Sequence, residues 1–537
     1  MPTINVYKWN LLKLGINESE LEDLLFNLKS EVKPIDQDHL EVEINNDRPD
    51  LLFVYGIIRA IKGLLKKELG ESKYKVINGD YTLEVKQVKS RPFAVAGIVR
   101  NIKLDSELLR ELIQFQEKLH ITVGRKRKKI AIGLHDLDKI TSKKIVYTTV
   151  PLDYKFVPLG SSKEMSIKEI INETEQGKEY GNFSIFDGQS PIIMEDNGQV
   201  LSLPPVINAE RTRITEETRN LFIDITGTSL DTVLSTLDII TTNLAEMGGE
   251  IESVKIIGIQ GINSTPMLRH CTIETSVDYI SKIIGVKMTD EEVLNYLKMA
   301  RFDAEASNGK IKVVIPPYRI DIISEIDLTE EIAMTIGYKN LTPSTFKIHS
   351  LGKLENKSRL SRLVRDLSIG AGFTEIFTFV LASDKILKGD FVKIINPVTI
   401  DYNSVRNSLI PTTLLFLKNN QHSRLPLLVF EVGEVVVKNE NGDTGYKNEL
   451  RACYAIMDSK VSFEDLQSRI HQILLNLGLR PVYRRAENEW FIKGRTAEII
   501  SDGKIIGIIG EVNPEILEQI GIEYPIVMSE LYLEGLR

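Results

Sequence analysis

The chain has 537 residues, 67 lysines and arginines against 75 aspartates and glutamates, and a formal net charge of −8. Apolar residues make up 42% and charged residues 26%, a balance that excludes extended disorder and supplies apolar material for several cores. At about 100–200 residues per domain this length implies roughly three to five domains, and the net acidity argues against a protein coated with nucleic acid along its whole length.

No apolar run approaches the ~20 residues of a membrane helix. The start, Met1-Pro2-Thr3-Ile4-Asn5-Val6, lacks the basic and apolar regions of a signal peptide. Two cysteines, Cys271 and Cys453, exclude a disulfide framework and a four-cysteine zinc site, and both read as isolated buried thiols. A cytoplasmic, multidomain globular protein is expected.

Residues 1–70 open with a strand, followed by helical spacing over 18–29 through Leu21, Leu24, Leu25 and Leu28. Alternation at 40–44 predicts a strand. Residues 45–50 form a turn in which Pro49 and Asp50 are placed to open an apolar helix over 51–65. Residues 71–91 read as a joint, and 90–260 mix strands and helices. Within that stretch the basic run Arg125-Lys126-Arg127-Lys128-Lys129 reads as a solvated turn or a phosphate contact. In the segment from Leu201-Ser202-Leu203-Pro204-Pro205 to Asp224-Ile225-Thr226-Gly227, residues Ser202, Asn208, Thr212, Asp224 and Thr226 offer donors and acceptors without a nucleophile–base pair. That set suits a pocket that recognises a polar substrate and positions water; a strand-loop-strand with satisfied polar groups is the plainer alternative.

A second joint falls at 262–266. Residues 268–340 then form a unit of helix (276–284, stopped by Gly285), helix (opened by the capping box Thr289 to Glu292), hairpin across Asn308-Gly309, and helix (324–336). The order resembles a helix-turn-helix with a wing. In the third helix Asp327, Glu330 and Glu331 stand at i, i+3 and i+4, with Asp321 just before it. Four carboxylates converging without a basic partner call for a hard cation, Mg²⁺ being the natural choice; acidic enrichment at a helix N-terminus is the competing account. The seven histidines form no His-x-x-x-His pair, and neither a Gly-x-Ser-x-Gly elbow nor a Walker phosphate loop occurs. Hydrolase, zinc-enzyme and P-loop readings therefore lose.

The ordered succession of motifs resembles the β subunit of phenylalanyl-tRNA synthetase in its archaeal and eukaryotic-cytosolic form, over essentially the whole chain. The resemblance rests on Asn46-Asp47-Arg48-Pro49-Asp50, Gln116-Glu117-Lys118-Leu119-His120, Gly133-Leu134-His135-Asp136, Leu201-Ser202-Leu203-Pro204-Pro205, Asp321 with Asp327 and Glu330-Glu331, Arg406-Asn407-Ser408-Leu409-Ile410-Pro411 and Phe430-Glu431-Val432-Gly433. It implies a multidomain α+β fold. An N-terminal α/β domain is expected over 1–85 and a mixed α/β editing domain that binds tRNA over 90–262. A winged-helix-like, Mg²⁺-associated module is expected over 268–342, and a class II synthetase-like antiparallel-sheet domain over 350–537.

The implied function is phenylalanine-tRNA ligation with ATP and Mg²⁺ in an α₂β₂ complex, partnered by the α subunit, tRNA(Phe) and phenylalanine. Aminoacylation is expected on α. A working class II site needs arginines to grip ATP phosphates; with Glu431 as the motif glutamate, Val429 stands where one arginine belongs, and no glycine-rich third motif follows Gly494. Hydrolytic editing of Tyr-tRNA(Phe) is expected on β, with Ser202, Asp224 and Thr226 in the pocket and Ile192 or Ile193 as an apolar wall. The resemblance further implies that Asp321, Asp327, Glu330 and Glu331 hold Mg²⁺. Two other readings are a free-standing trans-editing hydrolase of mischarged tRNA and a winged-helix DNA-binding regulator, the latter opposed by the acidic third helix.

Overall fold

The computed structural model describes residues 1–536 apart from 260, 308, 346, 347 and 349. Two compact units divide the chain, Met1–Ser344 and Thr345–Arg537.

The first unit opens with an antiparallel sheet in which His39–Glu43 lies between Thr3–Tyr7 and Glu31–Pro34. The helix Glu18–Asn27 begins at Asn17, whose side chain caps Glu20 N–H in a reciprocal capping box. The apolar helix starts later than residue 51. Pro49–Leu51 form a 3₁₀ turn, Phe53 is extended, and the helix runs Val54–Leu64. The reason is ionic: buried Asp50 accepts from Arg48 Nε at 2.9 Å and from Arg59 at 3.3 Å, which folds the turn back instead of extending the helix.

Residues 71–91 are no mere joint. Val76–Ile77 and Thr82–Val85 both pair in parallel with Glu250–Ile257, because the alternating Tyr81, Leu83 and Val85 are buried against the core. They belong to an eleven-stranded mixed sheet. Its main path runs from Ile207–Asn208 through Val200–Leu203, Gln189–Glu195, Lys144–Pro151, Thr82–Val85, Glu250–Ile257, Phe93–Arg100 and Leu221–Gly227 to Ile130–Asp136. One contiguous core joins this sheet to the N-terminal segment, from Ile4 and Phe53 to Ile223 and Leu237.

The module after it has the three expected helices, Val277–Ile284, Asp290–Met299 and Glu325–Ile336. Gly285 ends the first at φ +81°, a conformation that glycine adopts without strain. The hairpin strands Asp303–Ser307 and Lys310–Ile315 pair as expected, although Asn308 of the turn lies outside the described residues. A third strand, Cys271–Ser276, escaped the sequence reading and pairs with Lys310–Ile315. It leaves Cys271 exposed, correcting the expectation of two buried thiols; Cys453 is buried.

The second unit is built on a seven-stranded sheet in the order Thr374–Glu375, Leu427–Lys438, Tyr446–Met457, Ile526–Tyr532, Lys504–Val512, Phe491–Ser501, Val482–Arg485. Every pairing is antiparallel except the first. Period-two alternation sends Phe430, Val432 and Tyr454 to one face, under Asn356–Gly370 and Phe463–Asn476, and Val429, Cys453 and Ala455 to the other, under Ile410–Asn420 and Pro514–Ile520. Among the described residues no helix is long and apolar enough to cross a membrane.

Candidate functional site

The large sheet curls until its two end strands meet. Asn208 Nδ2 donates to the carbonyl of Leu134 at 3.3 Å, and Arg127 bridges to the carbonyls of Pro205 and Val206 at 3.1 and 3.0 Å. This seam encloses a cavity of about 400 Å³, bordered by Gln116, Glu117 and His120 of the helix Ser106–Ile121, by Gly133, and by Ser202, Pro204, Thr212 and Asp224. A larger groove of about 730 Å³ lies near Glu71 and Arg301. Several of its charged groups are tied up in ion pairs, Arg301 with Glu68 and Lys73 with Glu71, whereas the seam cavity gathers the buried polar side chains expected of a binding pocket and is the better candidate.

Asp224 sits in Leu221–Gly227, flanked by Phe93–Arg100 and Ile130–Asp136. Its Oδ2 lies 2.7 Å from His135 Nε2 and 3.5 Å from Ser202 Oγ, while His135 Nδ1 lies 2.8 Å from Thr212 Oγ1. Asp224 is 1% exposed, and His135 and Thr212 are fully buried. Among the described residues no hydrogen bond reaches Asp224 Oδ1. The carboxylate thus has one oxygen held by the protein and one available.

The opposite wall is fixed by His120. Its Nε2 accepts the Ile132 N–H at 2.8 Å, so Nδ1 carries the proton toward Glu117 Oε1 at 3.1 Å. Burial holds His120 below its ordinary value. Burial alone would push Glu117 up, but the His120 hydrogen bond and the Arg127 guanidinium outweigh it and hold the carboxyl at about 2. Arg127 also lies over the Tyr180 ring at 4.6 Å. The chamber therefore presents a rigid charged rim and a buried acid–imidazole pair, which can hold a polar group and orient water.

Of the residues expected in the pocket, Ser202 and Asp224 converge there. Thr226 does not border it: its Oγ1 accepts from Arg91 Nε at 3.2 Å and its carbonyl from Arg91 at 2.8 Å. Ile192 and Ile193, as successive strand residues, face opposite sides and pack into two separate cores, and neither borders the cavity. His135 was missed as a site residue. It stands in the motif Gly133-Leu134-His135-Asp136, but its pairing with Asp224 is a cross-strand relation that linear spacing does not carry.

The four carboxylates expected to converge do not. Arg319 donates to Asp321 at 2.9 and 2.7 Å and to Glu331 at 3.2 and 2.6 Å. Asp327 caps its own helix by accepting from Ile323 and Ser324 N–H, and Glu330 pairs with Lys29 at 3.3 Å. Among the described residues no group of three or more His, Cys, Asp or Glu side chains is placed to hold a metal. The expectation of a Mg²⁺ cluster assumed that no basic partner was near; Arg319 is that partner, and the donor set as arranged does not fit the ion.

In the second unit, Glu431 accepts from Arg406 at 2.8 Å and from Thr378 Oγ1 at 2.6 Å. Val429 is packed in the core at 4% exposure.

Three family models match the chain: B3/4 domain over residues 74–241, tRNA synthetase B5 domain over 273–338, and Phenylalanyl tRNA synthetase beta chain CLM domain over 343–533. Fold, site and matches together define a subunit of an aminoacyl-tRNA synthetase. The chain is 63% identical to the phenylalanine-tRNA ligase beta subunit of Sulfurisphaera tokodaii, covering 100% of this chain and 99% of that one. It is 60% identical, with the same coverage, to the beta subunit of Sulfolobus acidocaldarius. A solved N-terminal fragment of the phenylalanyl-tRNA synthetase beta subunit from Pyrococcus horikoshii matches with TM-score 0.61 and 36% identity, covering 63% of this chain and 100% of that one. The chain belongs to the phenylalanine-tRNA ligase beta subunit family.

Proposed function

We propose that this chain is the β half of a cytoplasmic α₂β₂ phenylalanine-tRNA ligase. The α subunit attaches phenylalanine to tRNA(Phe) with ATP and Mg²⁺, and β supplies assembly, tRNA contacts and hydrolysis of Tyr-tRNA(Phe) made in error. Tyrosine differs from phenylalanine by one hydroxyl, and an apolar pocket rejects such an isostere by only about 10²-fold. A second site with buried polar acceptors discriminates better. The observation that carries the reading is the convergence of Ser202 and Asp224 on one enclosed chamber, with Asp224 held from behind by His135.

In the hydrolysis, water adds to the ester carbonyl and the ribose oxygen leaves with a proton, giving tyrosine and free tRNA. Asp224 binds the aminoacyl group or orients the attacking water, and no side-chain ester is formed. The basic turn Arg125 to Lys129, exposed at residues 125, 126 and 128 and adjoining the chamber through Arg127, is suited to phosphates of the tRNA end.

The segment 350–537 serves as a class II synthetase-like domain without phosphate clamps. Phe377, Phe379, Ile395 and Val398 are 86%, 67%, 99% and 102% exposed, more bare apolar surface than a free monomer keeps, in accord with a subunit that is covered by α. That surface also disfavours a free-standing editing factor; native mass measurement of the purified protein decides it. Asp224→Ala in the assembled αβ enzyme is expected to leave phenylalanine charging intact while hydrolysis of pre-formed Tyr-tRNA(Phe) is lost. Undiminished hydrolysis removes Asp224 from the site, and equal loss of charging makes it structural.

A further inference from the structure

We propose that His135 is the positioning residue of the chamber: its Nε2–H clamps Asp224 Oδ2, Thr212 braces the ring, and Asp224 Oδ1 is left as the oxygen that acts on the aminoacyl-tRNA. The proposal rests on the editing reading above. An aspartate turns readily about its last torsion, which is broad and roughly two-fold, and a buried carboxylate with a single weak partner would sample both orientations. The Ser202 contact at 3.5 Å is too long to select one, whereas His135 at 2.7 Å does.

The imidazole is itself immobile. Thr212 Oγ1 holds Nδ1 at 2.8 Å, the ring lies against Phe222 with centroids 6.4 Å apart, and full burial of His135 and Thr212 keeps water from substituting. The chain also leaves room for the pair. Gly133 faces Asp224 across the ladder, and a Cβ there would fall 2.6 Å from His135 Nε2. A hydroxyl, an imidazole and a carboxylate in line recur wherever a ring must be kept in one orientation toward a reacting group. Here the carboxylate, not the hydroxyl, has the unengaged atom.

The test uses the αβ enzyme assembled from this chain and its α partner, with pre-formed Tyr-tRNA(Phe) as probe. His135→Ala is expected to lower kcat for hydrolysis by about 10²-fold with KM little changed, the scale on which a lost orienting contact acts. His135→Gln, which returns an amide N–H near the place of Nε2, is expected to recover at least about tenfold of that loss. Hydrolysis by His135→Ala within about twofold of the parent overturns the proposal. So does an equal loss in His135→Gln when that variant melts at the parent temperature. Where His135→Ala fails to assemble with α, Thr212→Val, which removes the brace hydroxyl and keeps the side chain's volume at the chamber wall, is read instead. A loss of about tenfold in kcat with KM unchanged is expected, and no loss, or a loss in KM alone, overturns the proposal. A parent enzyme that does not hydrolyse Tyr-tRNA(Phe), or Asp224→Ala that hydrolyses it normally, overturns the editing reading itself. Loss in Asp224→Ala with no effect of His135→Ala overturns only the clamp.

Discussion

Gly133 lies directly opposite Asp224 on the neighbouring antiparallel strand, and a methyl group built on it would stand 2.1 Å from Asp224 Oδ2. The absence of a side chain at 133 is thus a condition for the carboxylate's position. Gly133→Ala is expected to displace the Asp224–His135 pair and to reduce Tyr-tRNA(Phe) hydrolysis by about 10²-fold, since misplacing a reacting group by about 1 Å has effects of that size. Phenylalanine charging by the same preparation should stay within about twofold of the parent. Normal hydrolysis by the variant would show that the strand pair yields and that the carboxylate need not stand where it does.

Arg319 neutralises two carboxylates, Asp321 and Glu331, with its guanidinium almost wholly buried. Removing one member of a buried ion pair leaves an uncompensated charge and typically costs about 3–5 kcal/mol. Arg319→Met is therefore expected to lower the denaturant midpoint of the first unfolding transition. Arg319→Lys, which keeps the charge but loses the planar fork, should fall between the two. An unchanged midpoint in Arg319→Met would show that these carboxylates find another counter-charge.

Glu111 offers a pH-dependent test. Burial pushes its carboxyl up to about 7, against the Tyr7 N–H and Arg110 that pull it down. Oε1 accepts from Tyr7 at 2.8 Å, whereas Oε2 is buried without a partner. Between the ordinary carboxylate value and about 7, the folded chain holds a proton that the unfolded chain has released. Stability therefore declines as pH rises across that window and levels off above it. Glu111→Gln removes the titration. Its stability should exceed the parent's at pH 8 by about 3 kcal/mol, with a higher melting temperature, and approach it at pH 5. A difference that does not vary with pH would refute the assignment.

Local chemistry was legible in the sequence where neighbours in the chain settle it. The capping box Thr289 to Glu292 and the stop at Gly285 stand where their residue types require. Ser202 and Asp224 stood out as polar residues among several in this segment, the family resemblance singled them out for the pocket, and the structure brings both to the chamber. Thr226 shared the same strand periodicity, yet Arg91, far back in the chain, took its hydroxyl. The acidic cluster failed for a different reason. Helical spacing puts Asp327, Glu330 and Glu331 on neighbouring positions, but side-chain direction and the reach of Arg319 and Lys29 decide which partner each meets. His135 and the strand Thr82–Val85 depend on long-range pairing, which a single sequence does not encode locally.

On the reading proposed above, the sheet of the second unit resembles that of a synthetase without gripping ATP. Phosphates are held by planar, bidentate guanidinium groups, and the strand position that would supply one is Val429, 4% exposed and packed among Ile376, Leu414 and Ala455. The neighbouring Glu431 is already committed to Arg406 and Thr378 through both oxygens. Gly433 leaves space for that ion pair, since a Cβ there would stand 2.5 Å from Arg406. The purified chain without α is expected to give no ATP–pyrophosphate exchange with phenylalanine above background. Val429→Arg should not create that activity, because the new guanidinium would enter an apolar core rather than an open site, and it should lower stability by several kcal/mol for an unpaired buried charge. Exchange by the chain alone would mean that phosphate binding has been rebuilt from other residues, and the inert reading of residues 350–537 would have to be abandoned.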